Sequence, residues 1–128
     1  MPLLTLDHLL VLTDDLAASK AFYCGALGLE DGPRPPLPFA GHWLCLDGVP
    51  RVHLADRAGY EAEVARLGLG TAEGAVDHFA FAGDNVGRFE ARLAASGIEV
   101  VRNELPNGTR QLFFDDPNGV RVEIQVPA

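Results

Sequence analysis

Apolar and polar residues fall into two successive cycles along the chain, and each cycle predicts a strand, a helix and then further strands. Residues 3–12 form a mostly leucine-rich run around Asp7-His8, which reads as a buried strand. Thr13, Asp14 and Asp15 then supply N-cap side chains for a helix over residues 16–27, whose apolar positions Leu16, Phe22, Tyr23 and Leu27 fall roughly on one face. Gly28 closes that helix. The stretch Pro33-Arg34-Pro35-Pro36-Leu37-Pro38 can only be loop or irregular edge strand. Strands over 42–46 and 51–55 flank a turn at Asp47-Gly48. After a connection with a short helix near 59–67, the pattern restarts. It gives a strand over 76–82, a helix capped by Asp84 or Asn85 and ended by Gly97, and strands over 98–105, 111–114 and 120–126.

The two cycles are in register. Asp7-His8 and Asp77-His78 lie 70 residues apart, and so do His53 and Glu123. At the same offset Trp43 meets Phe113, Leu44 meets Phe114, Arg51 meets Arg121 and Val52 meets Val122. The predicted fold is therefore α+β, with two tandem βαβββ modules forming curved mixed sheets around a central metal-bearing cavity. Module one covers about 1–57, a connection about 58–75, and module two about 76–128. Each helix is expected on the convex side of its sheet, leaving the concave face to line a cavity.

Composition narrows the partners more than the fold. A net charge of −8 with a single lysine, Lys20, and scattered arginines excludes the clustered cations that a nucleic-acid backbone needs. No stretch approaches the roughly 20 apolar residues of a membrane helix, and no basic region precedes the first apolar run, so neither membrane span nor secretory signal is expected. Cys24 and Cys45 lack metal-ligand or redox spacing and read as buried reduced thiols, which points to the cytoplasm.

The repeated positions carry the chemistry. Imidazole and carboxylate are the usual ligands of divalent zinc, manganese, iron, cobalt and nickel. Ligands on the first and last strands of two related modules can converge on one axis. His8, His53, His78 and Glu123 are thus the candidate metal ligands. They would leave one or two coordination positions open for a substrate oxygen, water or O₂. His42 has no repeat partner and defaults to solvent or a pocket rim. Asp7 and Asp77 precede their histidines, so alternation turns them to the opposite side of the strand, as backbone anchors. Trp43, Cys45 and Phe113 could line the cavity or pack in the core. Arg51 and Arg121, two residues before His53 and Glu123, share their strand face and could bind a substrate carboxylate or pair with rim acids.

On Asp7-His8-Leu9, on Asp77-His78-Phe79-Ala80-Phe81, and above all on the run from Phe113 through Asp116-Pro117-Asn118-Gly119 to Glu123, the chain resembles the vicinal oxygen chelate superfamily. That group includes glyoxalase I, extradiol dioxygenases and bleomycin-resistance proteins. The resemblance covers essentially the whole chain. It implies one divalent metal per site at His8, His53, His78 and Glu123; in a glyoxalase-type reaction Glu123 or a metal-bound water would then move the proton. It implies a homodimer as well, in which His8 and His53 of one chain would join His78 and Glu123 of its partner. At His53 the chain departs from glyoxalase I, which generally has glutamate there. The function expected is a divalent-metal-dependent lyase or isomerase of the glyoxalase type, acting on a small substrate with vicinal oxygens. The alternatives are a metal-dependent ring-cleaving dioxygenase and a non-catalytic small-molecule binding or resistance protein. Trp43, Arg51, Phe113 and Arg121 are the expected substrate-binding residues.

Overall fold

A computed structural model describes residues 2–128. The first half runs β1 (Leu9–Thr13), α1 (Leu16–Lys20), a π-helical continuation (Ala21–Ala26), β2 (Glu30–Gly32), β3 (Gly41–Leu46), β4 (Val49–Asp56) and α2 (Arg57–Arg66). The second half runs β5 (His78–Ala82), α3 (Val86–Ala95), β6 (Val101–Glu104), β7 (Arg110–Asp115) and β8 (Arg121–Val126). The predicted duplication is present strand for strand. One sheet has the order β1-β4-β3-β2 and the other β5-β8-β7-β6. In each, the first strand lies parallel to the last and the remaining pairs are antiparallel. The two sheets are separate, so neither closes a cavity with the other within one chain, and β1 and β5 are open edges.

Alternation decides which face is buried. In β4, Val52 and Leu54 are buried, and in β8, Val122, Ile124 and Val126 are. These side chains join Leu44, Leu112, Phe114, Phe22, Tyr23 and Leu93 in one core shared by both halves. Burying such side chains stabilises by roughly 1.5–3 kcal/mol each, so the shared core fixes one half against the other. A second tie is polar. The buried Tyr23 hydroxyl donates to Asp116 Oδ2 at 2.7 Å, and Asn118 Nδ2 donates to Ser19 Oγ at 2.9 Å. Asp116 Oδ1 also accepts from the Asn118 and Val120 backbone N–H groups, which shapes the Asp-Pro-Asn-Gly turn leading into β8.

Four expectations about local structure are corrected. The strand over 3–12 is only Leu9–Thr13, and Leu3, Leu4 and Leu6 are exposed rather than buried. The ladder to β4 shifts by one residue between Leu44 and Cys45, leaving Arg51 out of the β3 pairing. Its guanidinium instead donates to the Leu6 and Asp7 carbonyls, at 2.9 and 2.8 Å. The first helix is α-helical only to Lys20, after which the Leu27 N–H reaches back five residues to the Phe22 carbonyl. That wider turn points Phe22, Tyr23 and Ala26 together into the core. The third strand of module two starts at Val101, not residue 98.

Candidate metal centre

His8 sits one residue before β1, and His53 lies in β4 between Leu10 and Trp43 in the ladder. All four side chains therefore share the face opposite the core. The His53 ring lies between two parallel rings, His8 at 3.9 Å and Trp43 at 4.2 Å between centroids. His53 is buried, and its Nε2 has no hydrogen-bond partner. Burial first, then the neighbouring His8, holds this imidazole below the usual histidine range, favouring the neutral form that ligates metals.

The equivalent pair in module two is built on the parallel strands β5 and β8. His78 Nε2 lies 3.0 Å from Glu123 Oε1, and Glu123 is only 3% exposed. Phe113, opposite Glu123 in the ladder, meets the His78 ring edge-on at 5.8 Å. Gln111 Nε2 donates to Glu123 Oε2 at 3.2 Å, and Asn103 Nδ2 donates to Gln111 Oε1 at 2.8 Å. Sequence reading missed these two amides, although Gln111 stands two residues before Phe113 in a strand and therefore on its face.

The two aspartates behave differently from expectation. Asp7 Oδ2 contacts His8 Nδ1 at 2.7 Å, and Asp77 Oδ2 contacts His78 Nδ1 at 2.8 Å. Both precede the first residue of regular strand, so strand alternation does not govern them, and their carboxylates fold onto the adjacent imidazoles. Each is held below the usual carboxylate range, first by that hydrogen bond. The Asp77 bond, aided by Glu123, raises His78 above the usual histidine range. Arg121 Nη1 pairs with Asp77 at 3.0 Å, as one of its two expected roles, and Arg51 binds the backbone of the matching segment. Each arginine thus braces its own Asp-His pair. His42 contacts Asp31 at 3.2 Å, away from these residues.

The structure brings His8 to His53 and His78 to Glu123. Among the described residues, no three His, Cys, Asp or Glu side chains of one chain form a metal-holding group. A cavity of about 820 Å³ between Ala18–Ala26 and β7 is lined by none of the four. The residues nonetheless fit a divalent metal. Asp7 and Asp77 hold Nδ1 of their imidazoles, which fixes the ring and leaves Nε2 for a ligand, the usual outer-shell arrangement. The orphaned His53 Nε2 and the buried Glu123 carboxylate add one nitrogen and one oxygen donor to these, one in each of the two separate pairs.

Comparison with known proteins shows the family and the fold. Residues 5–124 match the Glyoxalase/Bleomycin resistance protein/Dioxygenase superfamily, and the chain belongs to that family. It is 35% identical over 127 residues to Glyoxylase I 4 of Arabidopsis thaliana, covering 95% of this chain and 70% of that protein. A lactoylglutathione lyase from Agrobacterium tumefaciens superposes with a TM-score of 0.76 at 25% identity, over 98% of this chain and 96% of that one. A glyoxalase family protein from Bacillus anthracis has the same fold, with a TM-score of 0.74 at 23% identity over 98% and 97% of the chains. Among the described residues, no helix is long and apolar enough to cross a membrane.

Proposed function

We infer that the protein is a divalent-metal-dependent lyase or isomerase of the glyoxalase type, acting on a small substrate with vicinal oxygens at sites completed by two chains. One observation carries this reading. The two ligand pairs occupy equivalent positions on separate sheets, each beside an open sheet edge, β1 or β5. An open edge is a row of unpaired backbone groups that a second chain can cover. The segments leading into both edges are apolar and uncovered: Leu6 is 82% exposed and Val76, its equivalent 70 residues on, 85%. Pairing β1 of one chain with β5 of another would bring His8 and His53 to the partner's His78 and Glu123 and bury these side chains.

In this arrangement a bound metal would supply Lewis-acid polarisation of the substrate oxygens. Glu123 would then move a proton at the carbon beside them, a role supported by Gln111 holding one of its oxygens while His78 faces the other. Trp43 and Phe113 flank the ligands with apolar surface that limits water. The relatives named above support the lyase or isomerase class, and the thiol adduct of an α-ketoaldehyde is the first substrate to test.

Elemental analysis with activity on that adduct decides the matter. We expect one redox-inert divalent ion per chain to sustain turnover without O₂, and His8→Ala or Glu123→Ala to lose metal and activity together. Turnover that requires O₂ would favour the dioxygenase instead. Ligand affinity that survives both substitutions, with no turnover, would favour a binding protein.

A further inference from the structure

The proline-rich segment of module one has no part in the proposed metal shell, yet it delivers a guanidinium to the site face. Pro33 and Pro35 flank Arg34, and a residue before proline is confined to extended backbone, so the arm is stiff. The far end of the segment is anchored: the Phe39 ring packs edge-on against Tyr60 of α2 at 5.5 Å. Arg34 Nη2 donates to the Phe39 carbonyl at 2.7 Å, and its guanidinium lies over the Phe39 ring at 5.1 Å. A Cβ at Gly41 would stand 3.1 Å from Arg34 Nη2 and 3.3 Å from Cζ. Gly41 alternates with Trp43, and its ladder partner Ala55 alternates with His53, which sets the guanidinium on the candidate site's face.

What distinguishes Arg34 is what it lacks. Seven of the ten basic side chains have a carboxylate within 4 Å: Lys20, Arg57, Arg66, Arg88, Arg102, Arg110 and Arg121. Arg51 and Arg92 are held by backbone carbonyls, as Arg34 is by that of Phe39, but neither of them has a buried N–H left without a partner. Among the described residues Arg34 has no acidic partner, and its Nε is buried with no acceptor. A buried, unpaired N–H on a cation costs stability, and an oxyanion held at Nη1, which makes no hydrogen bond and is not among the buried atoms, would offset the cost of burying that charge.

We propose that Arg34 is a substrate-binding residue that reads a carboxylate on the substrate, with the body of the molecule lying beside Trp43. This rests on the reading of the metal-bearing face as the active site, and it narrows the substrate to an anion. The carboxylate could belong to a small aromatic acid or to a thiol peptide, and the two sources can be told apart.

Trp43 is the only tryptophan, so intrinsic fluorescence reports on this face directly. The metal-free full chain is titrated with benzoate against benzamide, and with S-methylglutathione against its diester. At least one carboxylate should bind at least about tenfold more tightly than its neutral counterpart, a factor expected for one charged hydrogen-bonded contact. Which pair shows the preference identifies the source. Arg34→Gln should abolish the preference, Arg34→Lys should keep part of it, and added salt should weaken it in the wild type. Should Arg34→Gln fail to fold, Arg34→Lys and the salt dependence carry the test. The proposal is overturned if neither carboxylate is preferred, or if the preference is unchanged in a folded Arg34→Gln protein. It is overturned equally if Arg34→Gln lowers only the melting temperature, which would make Arg34 a loop clamp. Zinc titration of the same samples separates the two ideas, because failure to bind metal with an intact anion preference would sink the proposed function alone.

Discussion

At the scale of single residues, a carboxylate beside each imidazole governs how the candidate ligands can act. Asp77 is braced by Arg121 and holds His78 Nδ1, so its removal should let the ring turn and lower its basicity. Asp77→Asn is expected to weaken metal affinity by about 10–100-fold while leaving the fold intact, which calorimetric titration with zinc and circular dichroism would check. Cys24 gives a prediction about pH. Burial, and then the Asp31 carboxylate, push its thiol above the usual range against the opposing pull of Lys20. Because only the thiolate is alkylated, its fraction at a given pH is smaller than in a free cysteine and grows as pH rises. Cys24 should therefore react with iodoacetamide more slowly than in the urea-unfolded chain, and the gap should narrow at high pH. Peptide mass spectrometry would show it, and equal rates near neutrality would contradict the burial argument. Among the candidate ligands, His8, His53, His78 and Glu123 were nameable from sequence because the repeat doubled their positions. Gln111 and Asn103 were not, since an amide in a strand carries no signal until its neighbours across the ladder are known.

At the scale of elements, the link between α1 and the turn before β8 has the largest mechanical consequence. Tyr23 and Ser19 come from the helical segment that follows β1, while Asp116 and Asn118 open β8, which carries Glu123. The strand bearing one candidate ligand pair is thus pinned to the helix that follows the other. Tyr23→Phe removes a buried hydrogen bond to a carboxylate and should destabilise the fold by about 1.5–3 kcal/mol, measured as a shift of the urea midpoint at constant m-value. A change below the error of that measurement would mean that Asp116 is satisfied by its backbone donors alone. The elements themselves were read well from hydrophobic period and caps: Asp15 and Asn85 both accept from the N–H three residues on, as N-caps do. The start of β1 was not, because the leucines around Asp7 carry a strand's composition but find no ladder partner in their own chain.

For the whole molecule, the decisive quantity is how many chains make one site. With shared sites, a dimer of one His8→Ala chain and one Glu123→Ala chain has one site lacking both residues and one intact. A random mixture of the two inactive proteins should then recover about one quarter of wild-type activity. Stable mixed dimers without recovery would show that each chain works alone. Metal binding should also stabilise the native state by mass action. Saturating zinc is expected to raise the melting temperature of the wild type, chelator to reverse it, and the His8→Ala protein to respond less. Calorimetry on matched samples would check all three.

The sequence by itself determined the duplicated α+β architecture, because hydrophobic period, caps and turn residues are local signals that recur 70 residues apart. It also determined the residue types of the candidate shell. Only the tertiary structure decided that these four side chains form two pairs on separate sheets, since convergence depends on which strand edges meet. It alone placed Asp7 and Asp77 against their histidines, because the strands begin after Asp7 and Asp77 and alternation stops there. It alone brought Arg34 to the same face, because a proline-rich arm has no period from which its destination can be read.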